Sequence, residues 1–250
     1  MVAFPLPVEI AVQDASGTRI ALEHGAARIE LCQALGLGGL TPSIGLVETA
    51  VGLAAEASAP SFVHVLVRPR GGGFVYDADE LDTIERDIRA VVAAGADGVV
   101  VGALTETGDL DVEAVRRFID AAGQADVTVH RAVDAANDPR AAVAGLARLG
   151  VRRVLTSGGA ADCRTGLANL AAMAEASGVL EIMAGGGVRL DDIAELAAAG
   201  VDAVHLSARG RAVRGGASGP GGGVDGFDET DAALVAAAVE AARRGVTAGA

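Results

Sequence analysis

The chain has 250 residues, of which 51% are hydrophobic and only 2% aromatic, so its core must be built from Ala, Val, Leu and Ile. Its formal net charge of −13 repels phosphate backbones and anionic lipids, so nucleic-acid binding and membrane association are not expected. Two cysteines do not make a disulfide framework, and the N-terminus lacks the basic and apolar regions of a signal peptide, so a cytoplasmic location is expected.

One unit recurs along the chain: a helical stretch ends in glycine, and a short, β-branched run follows. Gly95, Gly150 and Gly200 each end such a stretch, because glycine accepts the left-handed conformation that closes a last helical turn. The runs after them are typical of strands buried on both faces. The pattern predicts eight strands, near residues 7–12, 27–32, 61–67, 98–102, 126–130, 152–156, 179–184 and 202–207. It predicts helices near residues 15–24, 43–58, 78–94, 112–122, 139–149, 163–177, 190–199 and 228–244.

Strict alternation of strands and helices predicts parallel strands with right-handed crossovers. Eight near-equal units favour the α/β class, with one (β/α)8 TIM barrel preferred over an open doubly wound sheet. No break in composition marks a second domain, so residues 1–250 are predicted to form a single TIM-barrel domain. Asp77, Asp111, Asp138 and Asp228 are predicted to cap helix N-termini, since their carboxylates can accept free first-turn N–H groups.

The segment 208–227 departs from the pattern because it is rich in glycine and arginine and cannot pack a core. It follows the eighth strand, which would place it over the mouth of the barrel, the end formed by the strand C-termini. The sequence predicts a flexible glycine-rich loop here. Two interpretations stay open: a disordered insertion, or a lid whose arginines meet an anionic ligand.

Two carboxylates interrupt strands that should be apolar. Glu9 lies in the first strand and Glu30 in the second. A carboxylate in such a run is rarely buried unless it is paired. Each is therefore either half of a salt bridge to a neighbouring strand or a catalytic acid or base whose pKa is raised by burial.

Two arginines, Arg68 and Arg70, stand at the C-terminal end of the third strand. Functional groups of TIM barrels gather at this end of the strands. The guanidinium groups are predicted either to bind a substrate carboxylate or phosphate or to pair with Glu9 and Glu30.

The fifth strand ends in a cluster of His130, Arg131 and Asp134. Histidine titrates near neutrality and can exchange a proton at working pH. The sequence therefore predicts His130 and Asp134 as catalytic and Arg131 as ligand-binding, with a structural histidine as the alternative.

Glycine-rich loops follow the sixth and seventh strands. Such loops expose backbone N–H groups that can bind an anion, or they simply permit tight turns. The predicted ligand-binding residues in them are Ser157, Gly158, Gly159, Gly185, Gly186 and Gly187.

Several strand-end segments resemble the CutC family, long labelled copper-homeostasis proteins. The matching segments, which come in family order over roughly residues 8–207, are 28–32 (Arg-Ile-Glu-Leu-Cys), 38–43, 68–72, 97–100, 128–132 with Asp134, 153–159 and 184–188. The resemblance implies a cytoplasmic, often oligomeric TIM-type barrel that binds copper(I), with Cys32 at the family's ligand position. Where family members often carry further cysteines, this chain has Ala11, Val75 and Ala135 or Ala136.

Three functions are consistent with these observations. The resemblance implies copper(I) binding through Cys32. The arginines, His130, the carboxylates and the glycine loops favour a lyase, isomerase or hydrolase acting on a small phosphorylated or carboxylated compound. A non-catalytic sensor of such a compound would use the same residues, and a homo-oligomer is an expectation of the resemblance.

Overall fold

A computed structural model describes residues 5–212 and 226–245. Eight parallel strands close into a barrel in sequence order, each hydrogen-bonded to the next and β8 to β1. The strands are β1 (Val8–Val12), β2 (Arg28–Leu31), β3 (Val63–Leu66), β4 (Gly98–Val101), β5 (Asp126–Val129), β6 (Arg153–Thr156), β7 (Glu181–Gly185) and β8 (Ala203–Leu206). The closed order confirms the TIM barrel and excludes the open doubly wound sheet.

A helix follows each barrel strand, as the glycine-ended units predict. The helices are α1 (Ala15–Glu23), α2 (Ile44–Glu56), α3 (Ala78–Ala93), α4 (Val112–Ala122), α5 (Pro139–Ala147), α6 (Leu167–Ala176), α7 (Ile193–Ala198) and α8 (Ala232–Gly245). The carboxylates of Asp77, Asp111 and Asp138 accept first-turn N–H groups, which confirms these three caps. No helix in the described part of the chain has the length and apolarity needed to cross a membrane.

The segment after β8 is not a loop throughout. Its described ends form a two-stranded antiparallel sheet of β9 (Arg209–Ala212) and β10 (Phe227–Thr230), in which Arg209 pairs with Asp228 at 2.7 Å. The predicted cap at Asp228 is therefore wrong, and α8 begins later because the Asp231 carboxylate accepts its first-turn N–H groups. The predicted loop 208–227 is thus too wide at both ends, and its residues 213–225 lie outside the described residues.

Alternate residues of the barrel strands face opposite sides. One set, exemplified by Ile10, Ile29 and Val65, joins the helices in the main hydrophobic core. The other set points into the barrel and is unusually polar, because buried charged or polar residues take the place of the branched aliphatics that commonly fill such interiors. The buried members of the polar set are Glu9, Arg28, Glu30, His64, Thr128 and Arg153. The barrel interior is therefore the part of the fold where charge is held away from water.

Candidate active site at the barrel mouth

A cavity of about 300 Å³ opens at the C-terminal ends of the strands. It brings together six of the residues predicted from the sequence, namely Glu30, Arg68, His130, Arg131, Gly186 and Gly187. The other predicted residues lie outside its lining: Glu9, Cys32, Arg70, Asp134, Ser157, Gly158, Gly159 and Gly185. None of the predicted roles is tested by this placement, but it separates groups that can meet a ligand from groups that support them.

A chain of alternating charges runs from the barrel interior to the cavity. Arg28 Nε donates to Glu9 Oε2 at 2.7 Å, and the second Glu9 oxygen lies 2.7 Å from His205 Nδ1. The other ring nitrogen of His205 lies 3.9 Å from Glu30 Oε2. Glu9 thus makes the cross-strand salt bridge that the sequence left open, whereas Glu30 has no arginine partner among the described residues.

Three groups of this chain, Glu9, Glu30 and His205, have shifted pKa values. Burial raises the pKa of the Glu9 carboxyl, but the hydrogen bond from His205 and the charge of Arg28 outweigh it and hold that pKa well below its usual range. Burial also raises the pKa of Glu30, to about 7, against the opposing charge of His205. Burial lowers the pKa of His205, yet Glu30 and the hydrogen bond to Glu9 raise it overall. Glu30 and His205 are therefore two adjacent groups that can exchange a proton near neutral pH.

The glycine loop after β6 is filled by a carboxylate of the chain itself. Asp134 accepts hydrogen bonds from the Ser157 and Gly159 backbone N–H groups at 3.0 Å and from the Thr156 hydroxyl at 2.5 Å. It also accepts from Arg131 Nε at 2.8 Å. These N–H groups already hold an anion, so Asp134 acts as an anchor of the loop and the loop offers little to an external ligand.

The loop after β7 is arranged differently. Gly186, Gly187 and Val188 line the cavity, and their backbone N–H groups have no acceptor among the residues that the structure describes. Gly186 has a φ of +115°, and a Cβ there would come within 2.7 Å of Arg131 Cζ, so only glycine allows the guanidinium to lie against this loop. After bonding Asp134 and Ser157, Arg131 keeps its Nη1 without an acceptor in the described chain. Free N–H groups beside a cation are suited to bind an anion, so the loop after β7 is the candidate anion-binding loop of the mouth.

The two arginines of the β3 end separate in the structure. Arg68 is buried, and its terminal nitrogens donate to the carbonyls of Leu37, Gly39 and Gly72, which holds the neighbouring loops in place. Arg70 lies outside the cavity and pairs with the Glu80 carboxylate, which also completes the capping box of α3. Neither arginine pairs with Glu9 or Glu30.

His130 is a neutral group in this structure. Burial and then the charge of Arg68 lower its pKa to about 3, which contradicts the expectation that it titrates near neutrality. Its Nδ1 accepts the Ala132 N–H at 3.2 Å, so the ring proton is on Nε2. His130 is therefore a hydrogen-bond donor at neutral pH and not a proton acceptor.

The surroundings of the Cys32 thiol do not fit a copper(I) ligand. Its fully buried thiol packs with Leu66 and Val100 and donates weakly to the Val12 carbonyl at 3.6 Å. Burial raises the thiol pKa, which disfavours the thiolate that copper(I) requires. Met183 packs in a separate cluster and accepts from Arg28, and Cys163 belongs to the helix-side core. In the described chain, the group of possible metal ligands within 4.8 Å of one another is Glu9, Glu30 and His205, a hard set that is already paired internally.

Sequence reasoning did not assign Arg28 or His205 to the site, although the period of two puts His205 and Ser207 on one face of the eighth strand, at the rim of the mouth. Both stand on strands that otherwise read as apolar, and Arg28 shares its face with Glu30 by the period of two. The spacing of two between Arg28 and Glu30 was the sequence signal that could have placed Arg28 in the barrel interior. Their pairing through Glu9 could not be inferred, because β8 and β1 are neighbours only once the barrel closes.

Comparison with known proteins relates the chain to one protein family. The profile described as the CutC family matches residues 6–210. A protein of Chromobacterium violaceum named as a CutC family protein is 43% identical over 227 residues, which are 89% of this chain and 90% of that protein.

Solved structures agree with this comparison. CutC from Streptococcus agalactiae, provisionally named a copper homeostasis protein, superposes with a TM-score of 0.75 at 29% identity, covering 81% of this chain and 98% of the other. Thiamine phosphate pyrophosphorylase from Pyrococcus furiosus superposes with a TM-score of 0.61 at 15% identity, over 96% of this chain and 97% of the other. The second likeness shows the barrel fold alone.

Proposed function

The chain belongs to the CutC family, and on that premise we propose that its barrel mouth is the active site of a lyase or isomerase that binds a small phosphorylated compound and moves one of its protons. The observation that carries the proposal is Glu30, a buried carboxyl in the cavity with a pKa of about 7. A group with this proton affinity is half ionised at neutral pH, where general acid and base catalysis are most effective.

The neighbours of Glu30 support this role. The Glu9 carboxylate orients His205 and raises its pKa, and the charge of Arg28 helps to lower the pKa of Glu9. His205 stands between Glu9 and Glu30 and can pass a proton between Glu30 and a ligand in the cavity. Two titratable groups that share one cavity, and whose environments shift their pKa values differently, are typical of sites that catalyse proton transfer.

An anionic substrate is supported by the charge of the mouth. The protein as a whole carries a charge of −13 and repels anions. The cavity reverses this locally, because Arg68, Arg131 and Arg209 line it together with the free N–H groups after β7. Phosphate binds such a combination of guanidinium and backbone donors strongly, and a carboxylate would use the same donors.

Copper(I) handling fits the residues of this chain less well. The relative from Streptococcus agalactiae carries a copper-homeostasis name, but the Cys32 thiol here is buried, protonated and away from the other described sulfur ligands. No step of the proposed reaction uses a metal.

The ligand half of the proposal is tested by calorimetric titration with inorganic phosphate and a panel of phosphorylated and carboxylated metabolites. We compare the wild type with Arg131→Gln and with Arg70→Gln, which removes the same charge outside the cavity. Binding should weaken about ten-fold in Arg131→Gln and stay unchanged in Arg70→Gln. Equal affinities in all three proteins would refute the anion site.

The catalytic half is tested by NMR in D2O with the metabolites that bind. The wild type should exchange a carbon-bound proton of its ligand for deuterium, and Glu30→Gln should lose at least about a hundred-fold in that rate, the contribution of a general acid or base. Binding without exchange or turnover would overturn the enzyme proposal in favour of a sensor.

A further inference from the structure

We infer that Arg68 and His130 form a two-donor site for a substrate oxygen that becomes negatively charged, so the reaction at the mouth is the enolisation of a phosphorylated carbonyl compound. This inference rests on the proposed function and adds the substrate class and two roles. It assigns no proton transfer to His130.

The first observation is a pair of unsatisfied donors. In the described structure, Arg68 Nε and His130 Nε2 are buried nitrogens without a hydrogen-bond partner, and both residues line the cavity. Both terminal nitrogens of Arg68 donate to loop carbonyls, and His130 Nδ1 accepts a backbone N–H. These hydrogen bonds fix the orientation of each side chain and leave Arg68 Nε and His130 Nε2 without an acceptor in the described part of the chain.

The second observation is that the two side chains share a support. Both contact the Phe74 ring, with the Arg68 guanidinium carbon 5.1 Å and the His130 ring centroid 4.9 Å from its centroid. The His130 ring also covers Gly102, where a Cβ would come within 2.6 Å of Nδ1. Preorganised donors of this kind stabilise charge that develops on an oxygen without further reorganisation.

The third observation is the neutrality of His130, whose pKa of about 3 leaves the imidazole uncharged. A neutral imidazole donates to an oxyanion without delivering a proton to it. The fixed cation beside it, Arg68, supplies the charge. Glu30 supplies the base, in the same cavity.

The Glu30 carboxylate takes the proton from the carbon next to the carbonyl, and the electrons of the broken C–H bond form a C=C bond. The carbonyl π electrons move to the oxygen, which Arg68 and His130 stabilise as an enolate. Return of the proton from the Glu30 carboxyl to the same carbon re-forms the carbonyl compound, so the balanced step is a reversible enolisation that exchanges this proton with water. A lysine Schiff base is excluded as an alternative, because the sequence contains no lysine and its 20 basic residues are all arginine.

The experiment compares two probes that share a phosphate. Ethyl phosphate lacks an oxygen at the carbonyl position, whereas 2-phosphoglycolate places a charged oxygen there. The wild type should bind 2-phosphoglycolate at least about ten-fold more tightly, as expected for a hydrogen bond to a charged group.

His130→Phe keeps the ring but removes the donor, so it should abolish this preference and leave ethyl phosphate binding unchanged. His130→Gln should restore part of the preference through its amide N–H. The matched control is His64→Phe. The His64 ring packs over Gly98 at the start of β4, as the His130 ring packs over Gly102 just after the end of β4. This control should keep the full preference.

Three outcomes separate the claims. A preference that survives in His130→Phe, or one that is absent in the wild type while ethyl phosphate binds, would overturn the oxygen site alone. Failure of the wild type to bind either probe would refute the anion site of the proposed function and this inference with it. Arg68 is left intact throughout, because it also holds the carbonyls of two loops.

Discussion

The glycine-rich loops on the two sides of the barrel mouth differ in whether their backbone N–H groups have an acceptor within the described chain. On the side of β5 and β6, backbone N–H groups and Arg131 surround the Asp134 carboxylate, and the loop is complete without a ligand. On the side of β7, the N–H groups of Gly186–Val188 have no acceptor in the described chain. Both loops look alike as glycine-rich sequence, and one internal carboxylate separates a structural loop from a candidate binding loop.

The largest expected effect comes from removing the Asp134 carboxylate from the glycine loop after β6. Asp134→Ala leaves Arg131 and the surrounding donors without their acceptor and should lower the free energy of unfolding by about 3 to 5 kcal/mol. Urea denaturation measures the loss. Asp138→Ala, which removes only the cap of α5, should cost about 1 kcal/mol. Millimolar phosphate should restore part of the stability of Asp134→Ala, and equal losses in the two variants would contradict the anchoring role.

The second effect concerns the titratable group on the open side. Folded Glu30 has a pKa of about 7 against an ordinary value of 4.5, so between these pH values the folded protein holds a proton that the unfolded chain has released. Stability should therefore fall as pH rises through this window, by about 3 kcal/mol from Glu30. The window is measured by denaturation at pH 4.5 and 7.5.

Glu30→Gln should lack this decrease, whereas Glu56→Gln, a change on the exposed face of α2, should keep it. A wild-type profile identical to that of Glu30→Gln would show that Glu30 is ionised normally.

A smaller pair of effects compares the loops directly. Gly159 in the filled loop and Gly186 in the open loop both have positive φ, +72° and +115°. Alanine at either position should cost about 1 to 2 kcal/mol from the strain of a positive φ. Gly159→Ala should cost more than this, because its Cβ would come within 2.7 Å of the Pro139 ring. Only Gly186→Ala should also weaken phosphate binding, about ten-fold, because its Cβ displaces Arg131. Calorimetry on both variants tests this, and equal phosphate affinities would remove the distinction between the loops.

The smallest expected effect is at Cys32, whose thiol already contacts the Val12 carbonyl and buried apolar side chains. Titration of the reduced protein with a buffered copper(I) complex should give the same affinity for the wild type and Cys32→Ala, within about two-fold, because the thiol stays protonated and enclosed. Cys163→Ala serves as the control. A clear loss in Cys32→Ala alone would instead support a copper role through this residue.

Much of the architecture could be predicted because local signals repeat. Glycines at helix ends and aspartates at helix starts mark the units, and their strict alternation leaves few topologies. The β9–β10 sheet was missed because its strands flank a glycine-rich stretch and carry charged residues that lack the apolar alternation of a buried strand. At the site, the sequence indicates the strand carboxylates Glu9 and Glu30 but gives Asp134 and Arg70 the same kind of role as His130 and Arg131, since proximity in sequence does not show which donors are already used.

The sequence by itself determined the (β/α)8 fold and the family, because both rest on patterns between neighbouring residues and on ordered motifs. It also determined that charge would enter the barrel interior, at Glu9 and Glu30. Only the tertiary structure decided how that charge is distributed. Closure of β8 onto β1 brings His205 to Glu9 and leaves Glu30 as the exchangeable group, and the fold of the β5 end sends Asp134 into one glycine loop while the next stays open. Hydrogen-bond partners and burial set these outcomes, and both depend on contacts between residues far apart in the chain.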